Sequence, residues 1–120
     1  MTAALRALDA AIDSVRGDTA AARAFSLAGG PAPAPRFVDV NVALVSQLKA
    51  QDYADQAPTP AMLAGWTTTC AALGTALRTW QRVTARELPA FNAVLGRNQI
   101  TPVATRSRTL ATPACGESIP

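Results

Sequence analysis

Histidine is absent from this chain of 120 residues. Its absence removes the side chain that most often acts as a general base or binds a metal ion, and any nucleophile that histidine would activate. Only two cysteines are present, Cys70 and Cys115, and two thiolates cannot complete a four-ligand zinc site. No glycine-rich phosphate-binding motif occurs either. We therefore expect no enzyme activity, no cofactor and no bound metal.

Large apolar side chains are also scarce. The sequence contains 27 alanines, and only 30 residues come from the Val, Ile, Leu, Met, Phe, Trp and Tyr group. Alanine buries little surface but has the highest helix propensity, so this composition favours helices that pack closely through small faces. The composition predicts an alanine-rich, all-α domain over residues 1–100.

The charge balance gives little indication of a partner. Eleven basic and eight acidic residues leave a net charge of +3, which is too small an excess for a nucleic-acid-binding surface. No run approaches the roughly 18 apolar residues needed to span a bilayer. The first residues carry Asp9 and Asp13 and lack the continuous apolar segment of a signal peptide. We expect a soluble protein that binds neither nucleic acid nor membrane, with its location unknown.

The most regular pattern lies between Thr59 and Glu87. Apolar residues there are separated by alternating steps of four and three, which average 3.5 residues and keep one side of a helix facing a partner helix. We call this set the seam: Trp66, Cys70, Leu73, Leu77 and Trp80. The pattern predicts a single helix over 60–87, with Thr59 as its N-cap and Pro60 at its first position.

Cys70 is interpreted as a free thiol that packs in the seam as a small apolar residue. A bridge to Cys115 is geometrically possible. We do not favour it, because disulfide frameworks use cysteine more densely than this chain does.

The rest of the domain is predicted to be helical as well. Helices are expected at about 3–28, 37–53 and 89–95, with a Pro-rich linker at 29–36 and a disordered tail at 101–120. The first helix either runs unbroken to about Ala28 or breaks at Gly17, and we favour a continuous or slightly kinked helix. Pro89 should bend the chain or restart it as the last helix, which Gly96 would cap. Helices 37–53 and 60–87 should form an antiparallel hairpin that the first helix completes as a three-helix, bundle-like fold.

A basic face is predicted on the long helix at Arg78, Arg82 and Arg86. These residues recur every fourth position and could contact phosphates or acidic partner residues. The simpler interpretation is favourable placement of cations towards a helix C-terminus, together with solubility.

The segment from Arg36 to Ile100 resembles a known family. It is similar to the helical C-terminal region of bacterial β-propeller proteins with BNR, WD40 or YVTN-like repeats, which are sortilin-like and often labelled glycosyl hydrolases. The features that carry the likeness are DQAPTPAM, the Trp in LRTWQRV, and ELPAFNAVLGRNQI. The resemblance implies a helical appendage that follows a propeller. Propeller repeats are missing from this chain, so no catalytic residue can be transferred.

Two functional hypotheses follow. In the first, the chain is a non-catalytic helical interaction module whose seam packs on a propeller domain or on a second copy. In the alternative, it is a free-standing small helical protein that binds an apolar ligand between Trp66 and Trp80, or self-associates through that seam.

Overall fold

The computed structural model describes residues 1–17, 34–52, 57–104 and 110–116. Every regular element in these ranges is helical, which confirms the all-α prediction. The elements are α1 Thr2–Arg16, α2 Phe37–Asp52, α3 Pro60–Arg82, a π-helical segment Val83–Glu87, and α4 Leu88–Arg97.

Helix α1 ends at Gly17, so the expectation of a helix that continues through this residue is wrong. Gly17 has a φ angle of 77°, and its N–H donates to the carbonyl oxygen of Asp13 at 2.9 Å. A Cβ atom here would collide with Cγ1 of Val38 at the start of α2. Only glycine combines this backbone angle with so close an approach. The remainder of the predicted first helix and most of the linker fall at 18–33, outside the described residues.

Helix α2 begins where Arg36 and Asp39 pair. The backbone N–H of Arg36 donates to the Asp39 carboxylate at 3.2 Å, and the Arg36 guanidinium donates to both carboxylate oxygens at 2.9 and 3.2 Å. This arrangement satisfies an N–H group that the helix itself cannot. It fixes where the helix starts, and the helix continues to Asp52.

Helix α3 packs against α2 to form the predicted hairpin. It begins as expected, because the Thr59 hydroxyl accepts from the Met62 N–H at 3.3 Å and Pro60 occupies the first helical position. The connection between the two helices includes residues 53–56, which lie outside the described ranges.

Pro89 lies in the first turn of α4, a new helix at the position where the chain was predicted to bend or restart, and Leu88 before it is helical as well. The residues before it form a π-helical turn, in which the Leu88 N–H reaches back five positions to the Val83 carbonyl. A proline clashes with the carbonyl four residues earlier in a regular α-helix, and a wider turn makes room for it. Helical structure therefore passes from α3 into α4 without a break.

Helix α4 continues past Gly96 to Arg97. The prediction that Gly96 caps this helix is therefore wrong, because the C-cap is Asn98. The Ile100 N–H donates to the Leu95 carbonyl at 3.0 Å, and the Gln99 N–H donates to the Gly96 carbonyl at 3.1 Å. Gln99 takes the left-handed conformation, with a φ angle of 58°. This is the Schellman termination of a helix. It turns the chain after α4.

The deepest apolar residues lie where α1 packs across α3, the π-helical segment and α4. We call this region the closed end; its buried residues are Val15, Val40, Ala76, Leu77, Val83 and Leu95. The opposite region, where α2 ends and α3 begins, we call the hairpin end. Its side chains are only half-buried or exposed as far as Trp66.

Candidate interaction surfaces and the tail disulfide

Cys70 and Cys115 form a disulfide, with their Cα atoms 5.7 Å apart. The expectation of a free Cys70 thiol, and of no bridge, is therefore wrong. Cysteine density misled the prediction, because one bridge can fasten a terminal segment without any framework. The available signal was a cysteine at a packing position of a long helix, with a second one beyond the last helix. Disulfides persist mainly in oxidising compartments.

The bridge belongs to a longer attachment of the tail along α3. The Gln81 side chain donates to the Leu110 carbonyl at 3.5 Å, and Cys115 is bonded to Cys70. The helix from 70 to 81 rises about 16 Å, and an extended chain from 110 to 115 also spans about 16 Å. The tail thus runs antiparallel to α3, on the side that carries Cys70 and Leu77.

A second attachment holds the tail to α4. The Asn92 side-chain amide donates to the Val103 carbonyl at 2.9 Å, and its oxygen accepts from the Val103 N–H at 2.8 Å. The prediction of a disordered tail is wrong for residues 101–104 and 110–116, which these contacts fasten to the helices. The other tail positions, 105–109 and 117–120, lie outside the described residues.

Most of the seam residues pack against other parts of the same chain. Leu77 is buried, with 8% of its surface exposed, and Leu73, Trp66 and Trp80 are half-buried. Some buried residues of α3 and the π-helical segment lie beside the seam rather than in it. Thr69 and Ala76 each precede a seam residue by one position, and Val83 follows the last seam residue by three. The predicted spacing of the apolar residues along α3 was correct, but the face of α3 that packs is rotated slightly from the predicted face.

The predicted basic face is a solvated surface in this structure. Arg78, Arg82 and Arg86 are all exposed. Arg78 donates to the hydroxyl of Thr75 on its own helix at 2.9 Å. Among the described residues, no cluster of three or more acidic or cysteine side chains could hold a metal ion. None of the helices in those ranges combines the length and apolarity required to cross a membrane.

A cavity of about 270 Å³ opens at the hairpin end, beside Trp66. Its walls come from the end of α2 and the first turns of α3: Gln47, Ala50, Ala61, Met62, Gly65 and Trp66. Trp80 is not among them. Any ligand in this cavity would therefore lie against one tryptophan, rather than between two as the sequence suggested.

The exposed side of α2 carries an apolar surface that the sequence pattern does not distinguish from the side that packs. Val42, Val45 and Leu48 expose 56%, 41% and 52% of their surface. We call these three residues the α2 stripe. The inner side holds Val40, Leu44, Gln47 and Gln51, none of them exposed. Because apolar residues occur on both sides of α2, periodicity alone could not assign the face that packs.

Comparison with protein-family models, with characterised proteins and with solved structures finds no match to this chain. The likeness of residues 36–100 to propeller appendages remains a prediction that rests on the sequence motifs alone.

Proposed function

We propose that this chain is a non-catalytic helical module that binds another protein through the α2 stripe. The observation that carries the proposal is the exposure of Val42, Val45 and Leu48 on a helix whose other side already packs on α3. Three aliphatic side chains on one exposed helix face are typical of a surface that meets a partner. Single exposed apolar residues would need no such explanation.

The partner that best fits the proposal is a β-propeller domain. The sequence motifs between Arg36 and Ile100 resemble helical appendages of propeller proteins, and an appendage needs an apolar face with which to pack on its propeller. Asn41, Ser46 and Lys49 lie beside the stripe and are exposed. The combination gives an apolar centre with a polar rim, the usual composition of a protein–protein interface.

The seam is less suitable as the docking surface than the sequence indicated. Leu77 is buried, and Cys70 is joined to the tail. A partner that used this side of α3 would have to displace residues 110–115. The α2 stripe needs no such rearrangement.

The test is sedimentation velocity on the intact, disulfide-bonded chain, alone and mixed with a propeller domain encoded in frame immediately upstream. We expect a one-to-one complex in the wild type and at least a tenfold loss of affinity in Val45→Lys/Leu48→Lys, because two ammonium groups would be placed in an apolar contact. Leu63→Lys is the matched control, since Leu63 is 52% exposed but lies on α3 outside the stripe.

Each outcome of this experiment is decisive for one part of the proposal. Self-association that the stripe variant abolishes would retain the module but replace the propeller with a second copy. Equal loss of binding in the Leu63→Lys control would remove the stripe as the site. A chain that stays monomeric and binds no propeller would contradict the proposal, as would the absence of propeller repeats upstream for that partner.

A further inference from the structure

The two halves of the disulfide bridge differ in exposure. Cys115 is exposed, whereas Cys70 is half-buried on α3. The residues on either side of Cys115 are Ala114 and Gly116, both small and both exposed. A Cβ atom placed on Gly116 would meet nothing within 4 Å beyond the adjoining residues. Open space therefore lies next to the tail half of the bridge.

The other half of the bridge lies among larger side chains. Trp66 and Leu73 are four residues before and three residues after Cys70, and these spacings place all three on one face of α3. Both neighbours are half-buried. Because helical side chains lean towards the N-terminus of their helix, the Cys70 sulfur lies over the turn that carries Trp66.

The bridge is the main attachment of residues 110–116. Among the described residues, the hydrogen bond that joins this segment to the helices runs from Gln81 to the Leu110 carbonyl, at 3.5 Å. Leu110 is 41% exposed, and Ala111 and Thr112 are exposed as well, so the segment buries little surface. Opening the bridge would leave the segment with that one described hydrogen bond to α3.

Thiol–disulfide exchange begins when a thiolate attacks one of the two sulfurs, and access helps to decide which sulfur is attacked. The thiolate approaches along the extension of the S–S bond, opposite the sulfur that leaves. An approach to Cys115 comes from the side of the tail, where space is open. An approach to Cys70 comes from the side of α3, past Trp66 and Leu73. Exposed bridges are also the ones that exchange readily.

We infer that the Cys70–Cys115 bridge is a site of thiol–disulfide exchange on the folded protein, at which a small thiol such as glutathione attacks Cys115 Sγ. A new S–S bond forms between the thiol and Cys115, the bond between the two cysteines breaks, and Cys70 leaves as a thiolate that takes a proton from water. The attacking sulfur is oxidised and the Cys70 sulfur is reduced, so no other oxidant or reductant is required. The inference is independent of the proposed function, because the α2 stripe lies on a different helix.

The first test locates the attack. The intact, oxidised chain is treated with glutathione, and the reaction is stopped early with N-ethylmaleimide, which blocks the freed thiol. Trypsin then separates the two cysteines, because Cys70 falls in the peptide 50–78 and Cys115 in the peptide 109–120. Mass spectrometry should find about tenfold more glutathione on 109–120 than on 50–78, and the maleimide on 50–78.

The second test shows whether the folded chain is the species attacked. The rate of exchange is measured at several urea concentrations below the unfolding transition. If exchange required unfolding, the rate would rise about fivefold for each added molar of urea, as the unfolded fraction does. We expect a change of less than about twofold, because the exposed bridge needs no unfolding.

A matched pair of variants tests why Cys115 is preferred. Leu73→Ala removes a large neighbour of Cys70 and should raise the share of glutathione on peptide 50–78 about threefold. Leu63→Ala is the control, because Leu63 is 52% exposed and lies two turns before Cys70 on the same helix. This variant should keep the wild-type distribution. The urea dependence of the rate reports whether each variant reacts in its folded form.

Three results would overturn the inference. The first is glutathione divided equally between the two peptides, or found mainly on 50–78. The second is a rate that rises about fivefold per molar urea, because the bridge would then react only in unfolded chains. The third is no mixed disulfide after hours in millimolar glutathione, which would make the bridge a purely structural one.

Discussion

The two ends of this molecule differ in how deeply their side chains are buried. At the closed end, α1 packs against the other helical elements, and small or branched side chains are almost fully buried: Val15 is 1% exposed, Ala76 0% and Val83 3%. At the hairpin end, Gln47 and Met62 both line a cavity and are only half-buried. The same long helix contributes to both ends, so the difference arises from what covers it rather than from α3 itself.

The comparison shows how a chain with few large apolar residues is stabilised. At the closed end, where several helical elements meet, the small side chains of alanine and valine let the helices pack closely. Among the described residues, the hairpin end has only α2 opposite α3, and the α2 side chains that point inwards there include two glutamines, Gln47 and Gln51. We expect stability to be concentrated at the closed end.

Loss of the disulfide should have the largest effect on this contrast. Replacing both Cys70 and Cys115 by serine opens a loop with a sequence separation of 45 residues. A loop of this length constrains the unfolded chain by about 4 kcal/mol in the chain-entropy account. Urea unfolding of the oxidised wild type and the double variant measures the difference.

The control for the disulfide prediction is reductant. It should destabilise the wild type by a similar amount and leave the double variant unchanged. A difference below about 1 kcal/mol between oxidised wild type and variant would mean that the tail contributes little beyond its contacts.

A matched pair of leucines on α3 tests the two ends directly. Leu77→Ala at the closed end should lower the free energy of unfolding by about 3 kcal/mol, because it leaves a cavity in a packed region. Leu63→Ala near the hairpin end should cost less than about 0.5 kcal/mol, since Leu63 is 52% exposed. Both values come from the same denaturant titration. Similar losses in the two variants would contradict the proposed concentration of stability at the closed end.

The smallest expected effect is a gain of stability at the hairpin end. Gln47→Leu removes the buried oxygen that lacks a donor, and Thr69 keeps its bond to the Gly65 carbonyl. We expect the free energy of unfolding to rise by about 1 kcal/mol, measured by urea titration.

Thr69→Val is the counterpart of this change. It removes the acceptor of the Gln47 Nε2 proton without changing the size of the side chain, and should therefore destabilise by about 1 kcal/mol. If Gln47→Leu were also destabilising by that amount, the amide would be making a contact more favourable than the single bond to Thr69.

The long helix was the most predictable part of the fold, and specific residues explain where prediction ended. Thr59 and Pro60 marked its start by local chemistry, and the seam residues gave its period. Its α-helical part ends at Arg82 rather than at the predicted Glu87, because the backbone before Pro89 widens into a π-helical turn. That widening depends on the packing of α1 and α4 around the turn.

The candidate sites were less predictable than the helices. Val42, Val45 and Leu48 are indistinguishable in sequence from residues that pack inwards, so their exposure became visible only once the inner face of α2 was known. The cavity beside Trp66 depends on how α2 and α3 are spaced, which no periodicity specifies. Trp80 has the same position in the 3.5-residue pattern and lines no part of that cavity.

By itself, the sequence determined the helical character of this protein, the hairpin of α2 and α3, and the amphipathic face of α1. These follow from alanine content, from capping residues and from apolar spacing, which act within a few residues of the chain. Tertiary structure decided that the tail fastens to α3, because a disulfide forms only where distant segments bring two cysteines within reach. It also decided which side of α2 faces solvent, because burial is set by the neighbours a side chain meets.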